Sequence, residues 1–368
     1  MSSFVFIQPH LRFGGAERQT VSIANALAER GHRVSVVLHS GGGGLVDTLR
    51  SDVDLHVLGL ESHLATVEIA RRLHAVLRRL PRSLVIVKLW SSILACAMVD
   101  RLVGARHHVY NYCEDLDPRD HAAFIPFGAT KQRLIGGVFR SREHLSANTR
   151  TVASSMVDVY RLAAEPTVIP STIDAAAVRA AAAAAPRPRR DVFTVVSVGS
   201  LIPRKGLDLT WDALRGLERD VHWRIVGEGP LARELAALQE RPGPVSVSVE
   251  GGHANPYGYM AAADVLVHSA RSEAWGIVLL EAMAVGTPVV AAGAIGPVEM
   301  QAALGDRPDL MQITDLGDVA AVRRAVARAA AVPRPDITAF DDYIAPFSVG
   351  RAATMWESRA AQLLGSAA

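Results

Sequence analysis

The sequence predicts an α/β chain of two doubly wound domains, each a mostly parallel sheet covered by helices on both faces. Three observations carry this. Short apolar runs alternate with helix-length stretches along the chain, the pattern of repeated βαβ units. The 368 residues exceed one ordinary hydrophobic core. Charge divides the chain: residues 1 to 190 hold 24 Lys and Arg against 16 Asp and Glu, a net +8, and 191 to 368 hold 15 against 21, a net −6. The expected domains are 1–174 with 348–368, and 175–347.

Composition narrows the class. Hydrophobic residues make up 49% and charged residues 21%, a folded globular protein rather than a disordered one. The two cysteines, Cys96 and Cys113, have no metal or redox spacing and point to a reducing compartment. No apolar run reaches the length of a membrane span, and a strand starts almost at residue 1, so a cytoplasmic protein without a signal peptide is expected. The basic first half suits an anionic acceptor or the inner membrane face. Arg71–Arg82 reads either as a membrane-facing amphipathic helix end or as a solvated face. Nucleic acid is disfavoured: aromatics are 5% and none interleave with the basic residues.

Taken in order, Phe4–Gln8 is a strand, and Pro9 to Gly15 is a loop opening a helix over 16–30. Gly14 and Gly15 let backbone amides approach a ligand. No G-x-G-x-x-G follows, so hydride transfer on a dinucleotide is disfavoured. Further strands are predicted at Arg33–Leu38, Leu55–Leu58, Leu84–Val87 and His107–Asn111, with helices over 62–80 and 91–103. Glu114 to Pro126 is polar and turn-rich; Asp115 and Asp117 read either as paired metal carboxylates or as an ordinary turn start. A helix over 150–163 and strand Thr167–Ile169 close the half, and the alanine run with Pro186 and Pro188 marks the passage onward.

In the second half, strand Phe193–Val198 leads through the loop Gly199–Gly206 into a helix ending near Leu217. Strand His222–Val226, a turn at Gly227–Pro230, a helix to about Gln239 and strand Val245–Val249 follow. Lys205 stands out, because the chain has three lysines against 36 arginines. Beside Arg204 in a strand-to-helix loop, it can hold a diphosphate as a point charge.

The chain is organised around Ser269–Val290. A buried strand, Asp264–His268, precedes it and another, Pro288–Ala292, follows. The helix between them starts near Gly276, with Ser272 and Glu273 placed as cap and first-turn acid, and stops at Gly286 and Pro288. Unpaired amides at Gly276, Ile277 and Val278 make an anion site. Glu281 lies eight positions after Glu273, a little over two turns along. Flanked by Leu279, Leu280, Ala282 and Met283, it needs a partner, and vicinal hydroxyls would serve. The combination suits a nucleotide sugar.

These residues resemble the retaining glycosyltransferases of family four. The likeness rests on Phe13–Arg18, Val198–Gly206, Ile225–Pro230, the pair Glu273 and Glu281, and Phe347–Ser348, and it covers nearly the whole chain. It implies the GT-B fold, two Rossmann-like domains facing across a cleft, with a last helix from about Ser348 crossing back to the first. By the same resemblance Glu281 binds the donor ribose, and Glu273 sits near the donor sugar's hydroxyls. Lys205 and the Gly276–Leu279 amides hold the diphosphate. Gly14 and Gly15 meet the sugar phosphate, the segment near Gly251–His253 lines the base, and Gly227 is a further donor-binding residue. No metal and no protein nucleophile are implied, since cationic side chains and helix-end amides stabilise the leaving diphosphate. The implied reaction moves a hexose or N-acetylhexosamine from a UDP-sugar to a glycan, lipid-linked or natural-product hydroxyl.

Three departures from the family pattern stand out. Ser200 replaces its usual arginine, so Arg204 takes that role or the diphosphate is held less tightly. Trp275 stands in the turn where phenylalanine is usual. The expected first-domain histidine is missing from Tyr110–Asp115, leaving Glu114, Asp115 or His121 as substitutes. A UDP-sugar epimerase or hydrolase of the same fold, and a catalytically silent binder, are the rival readings.

Overall fold

The computed structural model describes residues 1–12, 14–60, 65–124, 127–185 and 192–365. Phe13, the start of the 62–80 helix, Pro126 and the prolines Pro186 and Pro188 lie outside the described residues. The chain divides into two compact units, Met1–Ser171 with the segment from Val349 onward, and Thr172–Ser348.

The first unit is built on β1 (Ser3–Gln8), β2 (Arg33–Leu38), β3 (Asp54–Val57), β4 (Leu84–Val87), β5 (Val109–Glu114), β6 (Leu145–Ala147) and β7 (Thr167–Val168). Their order is β3-β2-β1-β4-β5-β6-β7, and neighbouring strands run parallel. Parallel strands covered on both faces read as continuous apolar runs, and Leu84, Val85, Ile86 and Val87 are all fully buried. Phe4, Phe6, Val36 and Ile86 form one core with Ala24 and Leu27 of helix Gly15–Glu29. The same core receives Ala353, Trp356 and Ala360 of the final helix, Val349–Gly365, so that helix packs on the first unit as expected.

Two predictions shift here. The helix expected over 62–80 is described as Thr66–Leu77, with Arg78 as its C-cap, three residues before Pro81. The strand expected at His107–Asn111 moves to Val109–Glu114, because His108 is taken up in the preceding turn, its ring bonding Leu77 O and Ser83 N. Tyr110 and Tyr112 in that strand are buried, with their hydroxyls donating to Ala105 O and Asp100.

Helix Gly128–Arg140 and β6 have no counterpart in the sequence reading. Gly136 and Gly137 interrupt the helical pattern there, and only the packing explains the first. A Cβ on Gly136 would lie 2.8 Å from the Tyr160 ring of the neighbouring helix Arg150–Tyr160.

The second unit holds β8 (Phe193–Val198), β9 (Val221–Val226), β10 (Val245–Gly251), β11 (Val265–His268), β12 (Val289–Ala292) and β13 (Met311–Thr314), in the order β10-β9-β8-β11-β12-β13, also parallel. Alternate residues feed opposite faces. Val265 and Val267 join Trp223 and Val290 on one side, while Leu266 joins Val196, Leu279 and Ala291 on the other. Helices Tyr257–Ala262, Ile295–Leu304, Val319–Ala331 and Thr338–Ile344, and strand β13, complete the unit without a matching expectation.

Candidate active site

Strand order in the second unit reverses between β8 and β11, and ligands of open α/β sheets bind at the carboxyl ends of strands flanking such a point. After β8 the chain passes through the turn Pro203–Lys205 to Gly206 and then helix Leu207–Leu214. Gly206 has φ +62°, and a Cβ there would come within 2.0 Å of Ser269 O, so glycine alone lets the two loops touch. That contact brings Lys205 beside the loop leaving β11.

Lys205 Nζ donates to Glu273 Oε2 at 2.5 Å, and His268 Nε2 lies 3.1 Å from the same oxygen. Burial alone would raise the Glu273 carboxyl; Lys205, the His268 hydrogen bond and Arg204 overcome it and hold the group well below the usual carboxylate range. Burial lowers the His268 imidazole, and Lys205 and Arg204 lower it further against the pull of Glu273. A neutral His268 therefore donates Nε2–H to an ionised Glu273. Arg204 donates to Ser272 O at 2.8 Å, tying one loop to the other.

The helix after Glu273 corrects one expectation. It runs Ile277–Ala284 with Gly276 as its left-handed N-cap, so Ser272 and Glu273 lie ahead of it and do not cap it. Leu279 N–H donates to Gly276 O, which withdraws one of the four amides, Gly276 to Leu279, that the resemblance assigns to the diphosphate. Glu281 is buried in this helix, and Tyr257 Oη donates to its Oε1 at 3.1 Å, a protein partner where the sequence asked for one. Trp275 is buried edge-on against Phe347, with ring centroids 4.8 Å apart.

Other expected donor-side residues are more open. His253 is exposed, with Nε2 3.0 Å from Glu250 O and 3.2 Å from Tyr259 Oη. Ser200 is exposed, and Gly227 N–H donates to Gly251 O, joining the β9 and β10 ends.

In the first unit, Gly14 is the N-cap of helix Gly15–Glu29, and the Glu17 side chain folds back over it. Glu114 and His121 come together: both are buried, 3.7 Å apart, and Tyr160 Oη donates to Glu114 Oε2 at 3.1 Å. Asp115 and Asp117 do not form a pair. Asp115 lies 3.2 Å from Lys88, and Asp117 accepts Arg119 N–H at the next turn. Among the described residues no three His, Cys, Asp or Glu side chains gather as a metal site.

Sequence reasoning missed His268, Tyr257 and Lys88. The apolar setting of Glu281 signalled that some partner existed, and the scarcity of lysine marked Lys88 as surely as Lys205; His268 read only as the last residue of a strand. A cavity of about 620 Å³ opens at the opposite ends of the second sheet's strands, lined in part by Phe193, Asp264 and Arg334. Arg334 is spent there on backbone carbonyls of Ala261, Ala263, Val285 and Gly286, so the cavity is set apart from the lysine and glutamates above.

Two family models match the chain, Glycosyltransferase Family 4 over residues 13–177 and Glycosyl transferases group 1 over 179–306. Among curated relatives, the lipopolysaccharide core biosynthesis glycosyltransferase LpsE of Rhizobium meliloti is 28% identical over 86% of each chain. LpsD of the same organism is 32% identical over 36% of this chain and 39% of its own. Solved structures give the same fold. HepE of Anabaena, in complex with UDP, aligns over 99% of this chain and all of its own, with TM-score 0.75 and 19% identity. Sucrose-phosphate synthase of Thermosynechococcus elongatus aligns over the full length of both, with TM-score 0.78 and 17% identity. With one family model on each half of the sequence and two parallel α/β sheets of GT-B type beneath them, the chain belongs to the group 1 glycosyltransferases of family 4.

Proposed function

We propose that the chain transfers a hexose or N-acetylhexosamine from a UDP-sugar to a hydroxyl of a glycan or lipid-linked acceptor, with retention of configuration and without a metal. The observation that carries this reading is the Lys205–Glu273–His268 cluster at the β8/β11 switch point, with Glu281 on the helix Ile277–Ala284 that follows Glu273. UDP and UDP-glucose are the ligands of HepE, whose fold this chain shares, and LpsD and LpsE are lipopolysaccharide core biosynthesis glycosyltransferases.

In this reading Lys205 and the amides of Ile277 and Val278 receive the diphosphate. As the bond from the anomeric carbon to the phosphate oxygen breaks, that oxygen gains charge, and the ammonium and helix-end amides stabilise it in a site shielded from water. Arg204 adds positive charge and fixes the loop. Glu273, kept ionised, accepts hydrogen bonds from the sugar's hydroxyls, and Glu281 accepts from the ribose while Tyr257 holds its other side. Cationic side chains thus supply what a metal would supply elsewhere, so the donor is handled by protein groups alone.

The acceptor belongs to the basic first unit in this proposal. Contact with an anionic membrane surface there fits helix Gly128–Arg140, which leaves Leu134 and Arg133 exposed and has Phe127, 84% exposed, at its N-cap.

Thermal unfolding and donor hydrolysis with UDP-, GDP-, ADP- and dTDP-sugars in the presence of a chelator test the reading. Stabilisation by a UDP-sugar with slow release of UDP is expected. Stabilisation by none of the four would overturn it.

A further inference from the structure

Lys205 and His268 share one carboxylate oxygen of Glu273, and the three side chains are not equally open. Lys205 and Glu273 keep 16% and 14% of their side-chain surface exposed, while His268, at the end of β11, keeps 5%. A ligand arriving there meets the ammonium and the carboxylate. The imidazole acts on it through Glu273.

The charges of the cluster decide what arrival does. Lys205 and Arg204 against an ionised Glu273, with His268 neutral, leave a net +1. The two negative charges of a nucleotide-sugar diphosphate turn this to −1, offset only in part by about +0.5 at the helix end beside Ile277. Both anions compete for Lys205, whose Nζ already stands 2.5 Å from Glu273 Oε2. An ammonium drawn to the phosphate loosens from Glu273, and a buried carboxylate left without a counter-ion is strongly destabilised. A replacement is in place, because His268 Nε2 lies 3.1 Å from the same oxygen.

His268 is neutral beforehand because burial, Lys205 and Arg204 lower it while Glu273 opposes them. Among the described residues these are the ionisable groups that act on it; Ala291, its neighbour across β12, and Ser269, bonded to Thr210, carry no charge. A diphosphate on Lys205 cancels one of the two repelling cations. The ring then takes a proton from solvent at Nδ1, the nitrogen left bare when Nε2–H donates to Glu273. The ordinary value of the imidazole is 6.5 and that of the carboxyl 4.5, so the ring, not Glu273, is the acceptor of that proton.

We propose that donor binding is coupled to the uptake of one proton: as the diphosphate takes Lys205, His268 becomes the imidazolium counter-ion of Glu273 and is thereby the positioning residue that keeps this carboxylate ionised and held for the sugar. The coupling rests on the proposed donor reading and gives it a pH dependence.

A UDP-sugar has no group that titrates between pH 6 and 7.5, so a proton taken up on binding belongs to the protein. Calorimetric titration of UDP-glucose and UDP-N-acetylglucosamine into the full chain, in MES and in imidazole buffer at pH 6.5, counts it. Net uptake is expected, and affinity should tighten by about threefold or more from pH 7.5 to 6, toward the limit of about tenfold per pH unit for one linked proton. His268→Asn keeps a hydrogen-bond donor but cannot titrate, and should lose both the uptake and the slope, which a purely structural role would not produce. Ring-proton NMR of the 13 histidines in the wild type is independent of how that variant folds; one titration should move to higher pH when the nucleotide sugar is added. Binding without proton uptake, uptake that persists in His268→Asn, or 13 unmoved titrations would overturn the coupling and leave the donor reading standing. Binding of neither nucleotide sugar would instead sink the donor reading, and the coupling with it.

Discussion

Lys205 and Glu273 are 68 residues apart in sequence and meet at 2.5 Å, each in the loop that follows a strand flanking the reversal point of one sheet. A pair so placed does two jobs. It locks the loops after β8 and β11 together, and it keeps a carboxylate ionised in a buried place where it would otherwise take up a proton.

Replacing either partner should therefore cost both activity and stability. Glu273→Gln keeps the shape and removes the charge; donor turnover should fall by about 10²–10³, the scale of a lost preorganised electrostatic contact. Lys205→Met strands a buried carboxylate, and such one-sided losses cost about 3–5 kcal/mol. The double variant Glu273→Gln/Lys205→Met should be more stable than Lys205→Met alone. Turnover of the three variants with urea unfolding of each gives the cycle, and additive stabilities would contradict the coupling.

A second expectation concerns pH. The folded-state pKa of His268 lies below its ordinary 6.5, under burial and the pull of Lys205 and Arg204, with Glu273 opposing. Below 6.5 the unfolded chain binds a proton that the folded chain resists, so this group's contribution is present above 6.5 and is lost as pH falls toward the folded value. Glu273, lowered from 4.5, contributes above 4.5 and loses its share only in stronger acid. Melting temperature followed from pH 7.5 to 5 should drop more steeply for wild type than for His268→Asn. Parallel curves would show that His268 does not titrate with folding.

Much of this site was legible because it depends on local chemistry. The scarcity of lysine singled out Lys205, the apolar flanks of Glu281 demanded a partner, and Pro288 and Gly286 bounded the helix. The remainder depends on which loops meet. His268 and Glu273 are near in sequence, yet nothing in the order of residues says that the imidazole turns toward the carboxylate rather than into the core. Tyr257 reaches Glu281 from a six-residue helix too short to carry a periodic signal. The fold divides similarly: mainly apolar strands such as β4 and β8 fell at their predicted bounds, whereas β5, rich in Tyr, Asn and Cys, was misplaced. Its hydroxyls and amide are satisfied by tertiary bonds that no local pattern reveals.

The final helix offers a contrast between apolar and ionic contributions. Trp356 is 2% exposed in the first unit's core, while the adjacent Glu357 accepts from Arg30 and bonds His32, both at 2.8 Å. Trp356→Ala should cost about 3–5 kcal/mol through the cavity it leaves. Glu357→Ala, at the partly exposed rim, should cost about 1 kcal/mol or less. Urea titration of the two variants measures both, and equal losses would mean that the ionic clamp, not the core, holds this helix.

Gly136 and Gly137, neighbours in helix Gly128–Arg140, should respond oppositely to alanine. At Gly137 a Cβ meets nothing within 4 Å, so Gly137→Ala gains only helix propensity, up to about 1 kcal/mol. At Gly136 the new Cβ would stand 2.8 Å from the Tyr160 ring, which is buried edge-on against Phe139 with its hydroxyl bonded to Glu114. The ring has no free direction to yield in, and overpacking of this kind costs about 1–3 kcal/mol, more than propensity returns. Moving Tyr160 also moves the donor that holds Glu114 beside His121. Gly136→Ala should therefore lower the melting temperature while Gly137→Ala raises it, and a stabilised Gly136→Ala would show that the two helices can part without cost.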